Sequence, residues 1–198
     1  MRTLALDIGG VFYLSQPDQA FFARWADRFG LDPAVLAAGL WHGPDIEAAN
    51  NGRIEAEDYF QRAGERLGLS AASVGEIIRG AFVGDFNQPF ADFVRGLRSG
   101  GVAVCALTNN WSSQAALMAR PELAGLFDFV ISSHDVGLTK PGAEIYRLLI
   151  ERVGRPPREI VFVDDTLSCV EAAGALGVQA VHFRDTAQTI AALKALLF

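Results

Sequence analysis

The chain has 198 residues, 51% of them hydrophobic, enough for one domain with a sizeable core and too apolar for disorder. Its formal net charge of −6 argues against general binding to nucleic acid or to an anionic membrane. No apolar run approaches the ~20 residues of a membrane span, and Cys105 and Cys169 lack the spacing of a zinc or redox pair. Asp7 and Gly9-Gly10 interrupt the apolar stretch after Arg2, which excludes a signal-peptide core. The expectation is a cytoplasmic protein with two reduced, core-type thiols.

In chain order, the first β-type run is Thr3–Ile8. From about Ser15 to Phe86 only helical patterning follows, over Gln19–Phe29, Pro33–Leu40, Ala56–Leu67 and Ser70–Ala81. Gly30, Gly43-Pro44, Asn51-Gly52 and Gly68 punctuate it. Short apolar runs then recur at Val102–Leu107, Phe129–Ser132, Ile160–Val163 and Val178–Phe183. They do not alternate, as suits strands buried on both faces of a parallel sheet. Helical stretches separate them at Ser112–Ala119, Leu167–Leu176 and Thr186–Leu197. Another, with Pro141 in its first turn, aligns Ile145, Leu148, Leu149 and Val153 before Gly154 ends it. Strands alternating with helices predict a doubly wound α/β fold. The helical insert forms a bundle over the sheet, dividing the chain into a core (1–14 and 87–198) and a cap (15–86).

Ligands of open α/β sheets bind beyond the carboxyl ends of the strands. Those ends carry Asp7 with Gly9-Gly10, then Thr108-Asn109-Asn110, then Asp164-Asp165, while Lys140-Pro141 follows the third strand. Carboxylates, a hydroxyl with neighbouring amides and one ammonium suit phosphoryl transfer through a covalent aspartyl intermediate. Mg²⁺ is the hard cation that such oxygen ligands prefer. A lysine at 140 in a chain that otherwise uses arginine almost everywhere points to a compact point charge with its own task.

Asp7-x-Gly-Gly-Val, Thr108-Asn109, Lys140-Pro141 and Asp164-Asp165 resemble, in that order, the four motifs of the haloacid dehalogenase (HAD) superfamily. The insert resembles its helical C1 cap. The resemblance implies a HAD-like Rossmannoid core, with Asp7 as nucleophile and Mg²⁺ ligand and Gly9 offering its carbonyl to the metal. Thr108 and Asn109 would bind the phosphoryl group, and Lys140 would orient Asp7 and the phosphate. Asp165 would ligate Mg²⁺ with Asp164 beside it. The implied activity is a Mg²⁺-dependent phosphatase acting on a small phosphorylated metabolite, with sugar phosphates as one class.

One position departs from the pattern. The superfamily's phosphatases usually carry a second Asp, as general acid and base, where this chain has Gly9. Its haloacid dehalogenases, its phosphonoacetaldehyde hydrolase and a branch similar to α-D-glucose-1-phosphatase also lack it. Such a group contributes typically ~10²–10⁴-fold, so its absence favours good leaving groups unless His42 or Asp45 of the cap, or the substrate, supplies the proton. The Asp164-Asp165 pair speaks against a metal-free dehalogenase. A binding protein that keeps the fold without catalysis is the reading from another class, prompted by Gly9. Asp-Ile-Gly-Gly also resembles the phosphate-binding opening of actin-like sugar kinases, but this chain has no second sheet domain's worth of sequence. His134 and His182 read as structural or surface residues, Cys169 as helix packing, and Phe21, Phe22, Trp25 and Phe29 as the core of the cap.

Overall fold

The computed structural model describes residues 2–14, 17–41, 44–81, 86–111 and 114–197. Its five strands, β1 (Thr3–Leu6), β2 (Ala103–Thr108), β3 (Phe129–Ser132), β4 (Ile160–Asp164) and β5 (Gln179–His182), form one parallel sheet in the order β3-β2-β1-β4-β5. Five helices lie between β1 and β2 ahead of the crossover: α1 (Gln19–Phe29), α2 (Pro33–Trp41), α3 (Pro44–Asn50), α4 (Ala56–Leu67) and α5 (Ala71–Ala81). The crossover helix itself is α6 (Gln88–Ser99). Beyond β2 come α7 (Gln114–Met118), α8 (Ser133–Val136), α9 (Ala143–Val153), α10 (Leu167–Ala175) and α11 (Thr186–Leu197). No described helix is long and apolar enough to cross a membrane.

Three apolar clusters follow from the strand and helix periods. Leu4 and Leu6 of β1 face a cluster with Phe90 and Val94 of α6 and Leu193 of α11. Ala5 points the other way, to Ile145, Tyr146 and Leu149 of α9 and Cys169 and Ala173 of α10. The third cluster belongs to α1–α5, with Leu36, Leu40, Tyr59, Ala63, Val74 and Ile77 fully buried. Phe21, Phe22, Trp25 and Phe29 pack against it, the last two rings stacked with centroids 6.2 Å apart.

Three helices escape the sequence reading. The seven-residue α3 is too short for a legible apolar period, and Pro44, taken as punctuation, is its first residue. The four-residue α8 has the same problem. For α6 the signals were present: Asn87 caps Phe90 N–H, Pro89 sits in the first turn, and Phe90, Ala91, Val94 and Leu97 line one buried face. Pro141 does not belong to the first turn of α9, which begins at Ala143. Gly142 N–H closes a turn onto Thr139 carbonyl at 2.9 Å instead, and that turn keeps Pro141 in the loop with Lys140.

Candidate active site

Strand register alone brings the carboxylates together. Leu6 pairs with Val163 and with Ala106, so Asp7 comes level with Asp164 and the residue after it with Thr108. Asp7 N–H extends the ladder by donating to Val163 carbonyl at 2.9 Å. One oxygen each of Asp7, Asp164 and Asp165 lies within 4.8 Å of the others.

Lys140 reaches this trio from the loop before α9. Its ammonium is 2.9 Å from Asp7 Oδ1 and 2.6 Å from Asp164 Oδ2, with 3% of its side chain exposed against 12% for Asp7 and 1% for Asp164. The ring of Phe162 lies beneath it, 5.6 Å from the ammonium. Asp7 Oδ1 also accepts Ile8 N–H at 2.8 Å. Asp164 Oδ1 accepts Thr166 N–H at 2.8 Å, so both Asp164 oxygens are engaged.

The electrostatics follow from that crowding. Burial pushes the Asp7 carboxyl up to about 6; Lys140 opposes the shift and Asp164 adds to it. Burial pulls the Lys140 ammonium down, but Asp7 and Asp164 together outweigh it and hold the proton more tightly than usual. Asp165 is raised by burial and by Asp164, against the pull of Lys140. Three carboxylates around one ammonium leave two formal negative charges in a small space, an excess that a proton or a cation would relieve.

The neighbouring loops are held by specific contacts. Asn109 lies at the end of β2, and its carboxamide is spent on the Lys140 backbone: Nδ2 donates to Lys140 carbonyl and Oδ1 accepts Lys140 N–H, both at 2.9 Å. Its side chain thus positions the lysine loop. Thr108 is 1% exposed at the strand end. Ser133, absent from the sequence reading, fixes the following turn by accepting Asn110 N–H at 3.0 Å. His182 has a positioning part too, its Nε2 lying 2.9 Å from Asp165 carbonyl. Cys169 is buried against α9, as read from sequence.

Two glycines behave oppositely. Gly10 has φ 68°, and a Cβ there would come within 2.1 Å of Asp165 Oδ2, so the backbone after Asp7 approaches Asp165 only because no side chain intervenes. At Gly9 a Cβ would meet nothing within 4 Å. A side chain could therefore start at Gly9 without a clash at its first carbon.

The expected proton sources in the helical insert fare unequally. His42 lies outside the described residues. Asp45 is paired with Arg66 at 2.9 Å and Arg62 at 3.1 Å, and their hydrogen bonds hold its carboxyl below the usual range. Both contacts favour its ionised form over the protonated form that a proton donor needs. Trp111, which directly follows the Thr108–Asn110 turn, was not singled out from sequence. Its ring packs on Tyr59 of α4 at 4.7 Å, joining that turn to the third apolar cluster. Asn87 was also missed. It ties the segment after Asp7 to α6, Nδ2 donating to Val11 carbonyl at 2.9 Å while its own N–H donates to Phe12 carbonyl at 2.8 Å.

A family profile described as haloacid dehalogenase-like hydrolase matches residues 1–177. Bifunctional epoxide hydrolase 2 of Rattus norvegicus is 33% identical over 215 residues, an alignment that takes in 98% of this chain and 38% of that protein. The chain thus spans under two-fifths of that relative's length. Sesquiterpene phosphatase astK of Aspergillus oryzae is 28% identical over 200 residues, covering 99% of this chain and 96% of that one. Among solved structures, a HAD family enzyme of Bacteroides thetaiotaomicron, in complex with magnesium and inorganic phosphate, shares the fold. Its TM-score is 0.76 at 19% identity, over 96% of this chain and 98% of that one.

Proposed function

Because the chain belongs to the haloacid dehalogenase-like hydrolase family, we propose that it hydrolyses small phosphorylated metabolites, sugar phosphates among them, with Asp7 as nucleophile and Mg²⁺ as cofactor. The observation that carries this reading is the set of buried Asp7, Asp164 and Lys140 with half-buried Asp165, whose residual charge of two matches one divalent cation. The donor set fits Mg²⁺ in kind, being hard carboxylate oxygens. Asp7, Asp165 and the Gly9 carbonyl would hold the ion. Asp164, with both oxygens already engaged, supports Lys140 and Asp7. When bound, the ion offsets the charge of carboxylate and phosphate so that two anions can meet.

The chain's own residues supply the rest. Asp7 attacks phosphorus, the ester P–O bond breaks, and water then cleaves the aspartyl-phosphate to inorganic phosphate and free Asp7. Lys140 keeps the non-attacking Asp7 oxygen turned inward and sets its positive charge beside the incoming phosphoryl group. The Thr108 hydroxyl and the amide of Asn109 hold phosphoryl oxygens, the Asn109 side chain being occupied. With Gly9 in place of a carboxylate, the substrate's leaving group departs with little protonation help. Helices α1–α5, within residues 15–86, act as the cap that excludes water and limits access to small soluble substrates. Two buried, unpaired cysteines suit a reducing cytoplasm. A relative that is a phosphatase over nearly its whole length supports the same reading.

The test is a panel of phosphorylated metabolites with purified protein, with and without Mg²⁺, beside Asp7→Asn. Metal-dependent phosphate release lost in the variant supports the assignment. Equal release in Asp7→Asn, or no release from any member, overturns it.

A further inference from the structure

An open cleft of about 400 Å³ lies beside Asp165 at the end of β5, lined by Gly10, Leu14, Asp165, Phe183, Arg184 and Thr186. That volume is in the range of small-molecule sites. Asp165 belongs to both the cleft and the trio, and Gly10 of the segment after Asp7 also lines it, so the cleft borders the candidate site. Its walls are apolar at Leu14 and Phe183. The other acidic residue there, Asp185, caps α11, where its Oδ1 accepts Gln188 N–H at 2.8 Å. Arg184 makes no ion pair among the described residues.

The charge balance gives that arginine a task. With a divalent cation in place, the positive charge of the cation and Lys140 is shared by the three carboxylates and the transferring phosphoryl group, and none is left for a second anionic group. Arg184 is the cation that lines the cleft. We propose that Arg184 is a specificity-determining residue that binds a second anionic group, a carboxylate or a further phosphate, at the far end of the substrate. This rests on the phosphatase reading and narrows it to phosphate monoesters bearing a second anion. The guanidinium's planar fork suits either oxyanion.

The probes are 4-carboxyphenyl phosphate and its neutral isostere 4-carbamoylphenyl phosphate, both with phenol leaving groups. Wild type is expected to prefer the carboxylate by about tenfold in kcat/KM, mostly through KM, and the preference falls with added salt because the arginine is exposed. In Arg184→Gln the preference drops to about one; in Arg184→Lys part of it returns. A wild-type ratio near one, or a ratio retained in Arg184→Gln, overturns the proposal. Calorimetric binding of the two matching phosphonates gives the same comparison without turnover. If neither ester is hydrolysed but the carboxylated phosphonate still binds more tightly through Arg184, the phosphatase reading fails and the anion site stands. Equal binding of the two phosphonates overturns the site itself.

Discussion

Replacing Lys140 with Met tests the electrostatic construction of the site apart from catalysis. The ammonium sits within 3 Å of two buried carboxylates, and methionine keeps the stem while removing the charge. At an effective dielectric constant of 20, each contact has a gross attraction of about 6 kcal/mol. The cost of burying the lysine cancels much of this. Breaking a buried pair from one side typically loses about 3–5 kcal/mol, or roughly 6–20 °C in Tm at this chain length. The loss depends on pH in a definite direction. Asp7 is already pushed up to about 6 by burial, and without Lys140 it rises further. A carboxyl with a raised folded-state pKa binds its proton more tightly in the native protein. Stability therefore falls as pH rises from the unfolded value near 4 through the folded one. Urea denaturation without divalent cations at pH 5 and pH 8 should show a large deficit at pH 8 and a much smaller one at pH 5. Asp164→Asn added to Lys140→Met should recover part of the deficit by removing one stranded charge. A loss below about 1 kcal/mol at pH 8, or an equal loss at both pH values, would refute the reasoning.

Four further outcomes are expected. Phosphate release should vanish in a chelator and fall with excess Ca²⁺, whose looser coordination misaligns Asp7; full activity in the chelator would remove the metal from the scheme. Across aryl and alkyl phosphates of graded leaving-group pKa, the wild-type rate should fall steeply, and Gly9→Asp, for which a Cβ finds open space, should give a shallower slope. A flat wild-type series with phosphorylation rate-limiting would mean that another acid is present. Asn87→Ala leaves the Val11 carbonyl and Phe90 N–H without their partner and should cost about 1–3 kcal/mol of stability in denaturant melts; no change would mean that the tie is unimportant. Burial pushes the Cys105 thiol up to about 12 from an ordinary 9.0. Above pH 9 the unfolded chain therefore ionises it first, and wild-type stability should fall about 1.4 kcal/mol per pH unit more steeply than that of Cys105→Ala, with identical slopes counting against it.

Much of the architecture was legible because its signals are local. Short unalternating apolar runs at Thr3, Val102, Phe129, Ile160 and Val178 announce a parallel sheet. All five runs overlap strands of one sheet. The candidate site was legible for the same reason: Asp7, Thr108 and Asp164-Asp165 sit at strand ends, and a parallel sheet gathers those ends on one side. Their convergence follows from topology, needing no knowledge of side-chain contacts. Elements of four to seven residues, α8 and α3, were not legible, since one or two turns hold no measurable period.

What only the tertiary structure decided are the partners of polar groups far apart in sequence. Asn109, read as a phosphate ligand, is turned by Lys140, 31 positions on. Asp45, read as a possible acid, is engaged by Arg62 and Arg66 of the following helix, 17 and 21 positions on. Trp111 finds Tyr59 across the helical insert, and Arg184 comes beside Asp165 because β5 lies next to β4. A sequence pattern records which chemistry is available and on which element. Which donor meets which acceptor depends on distances set by packing, and those distances also determine how far burial and neighbouring charges shift each pKa.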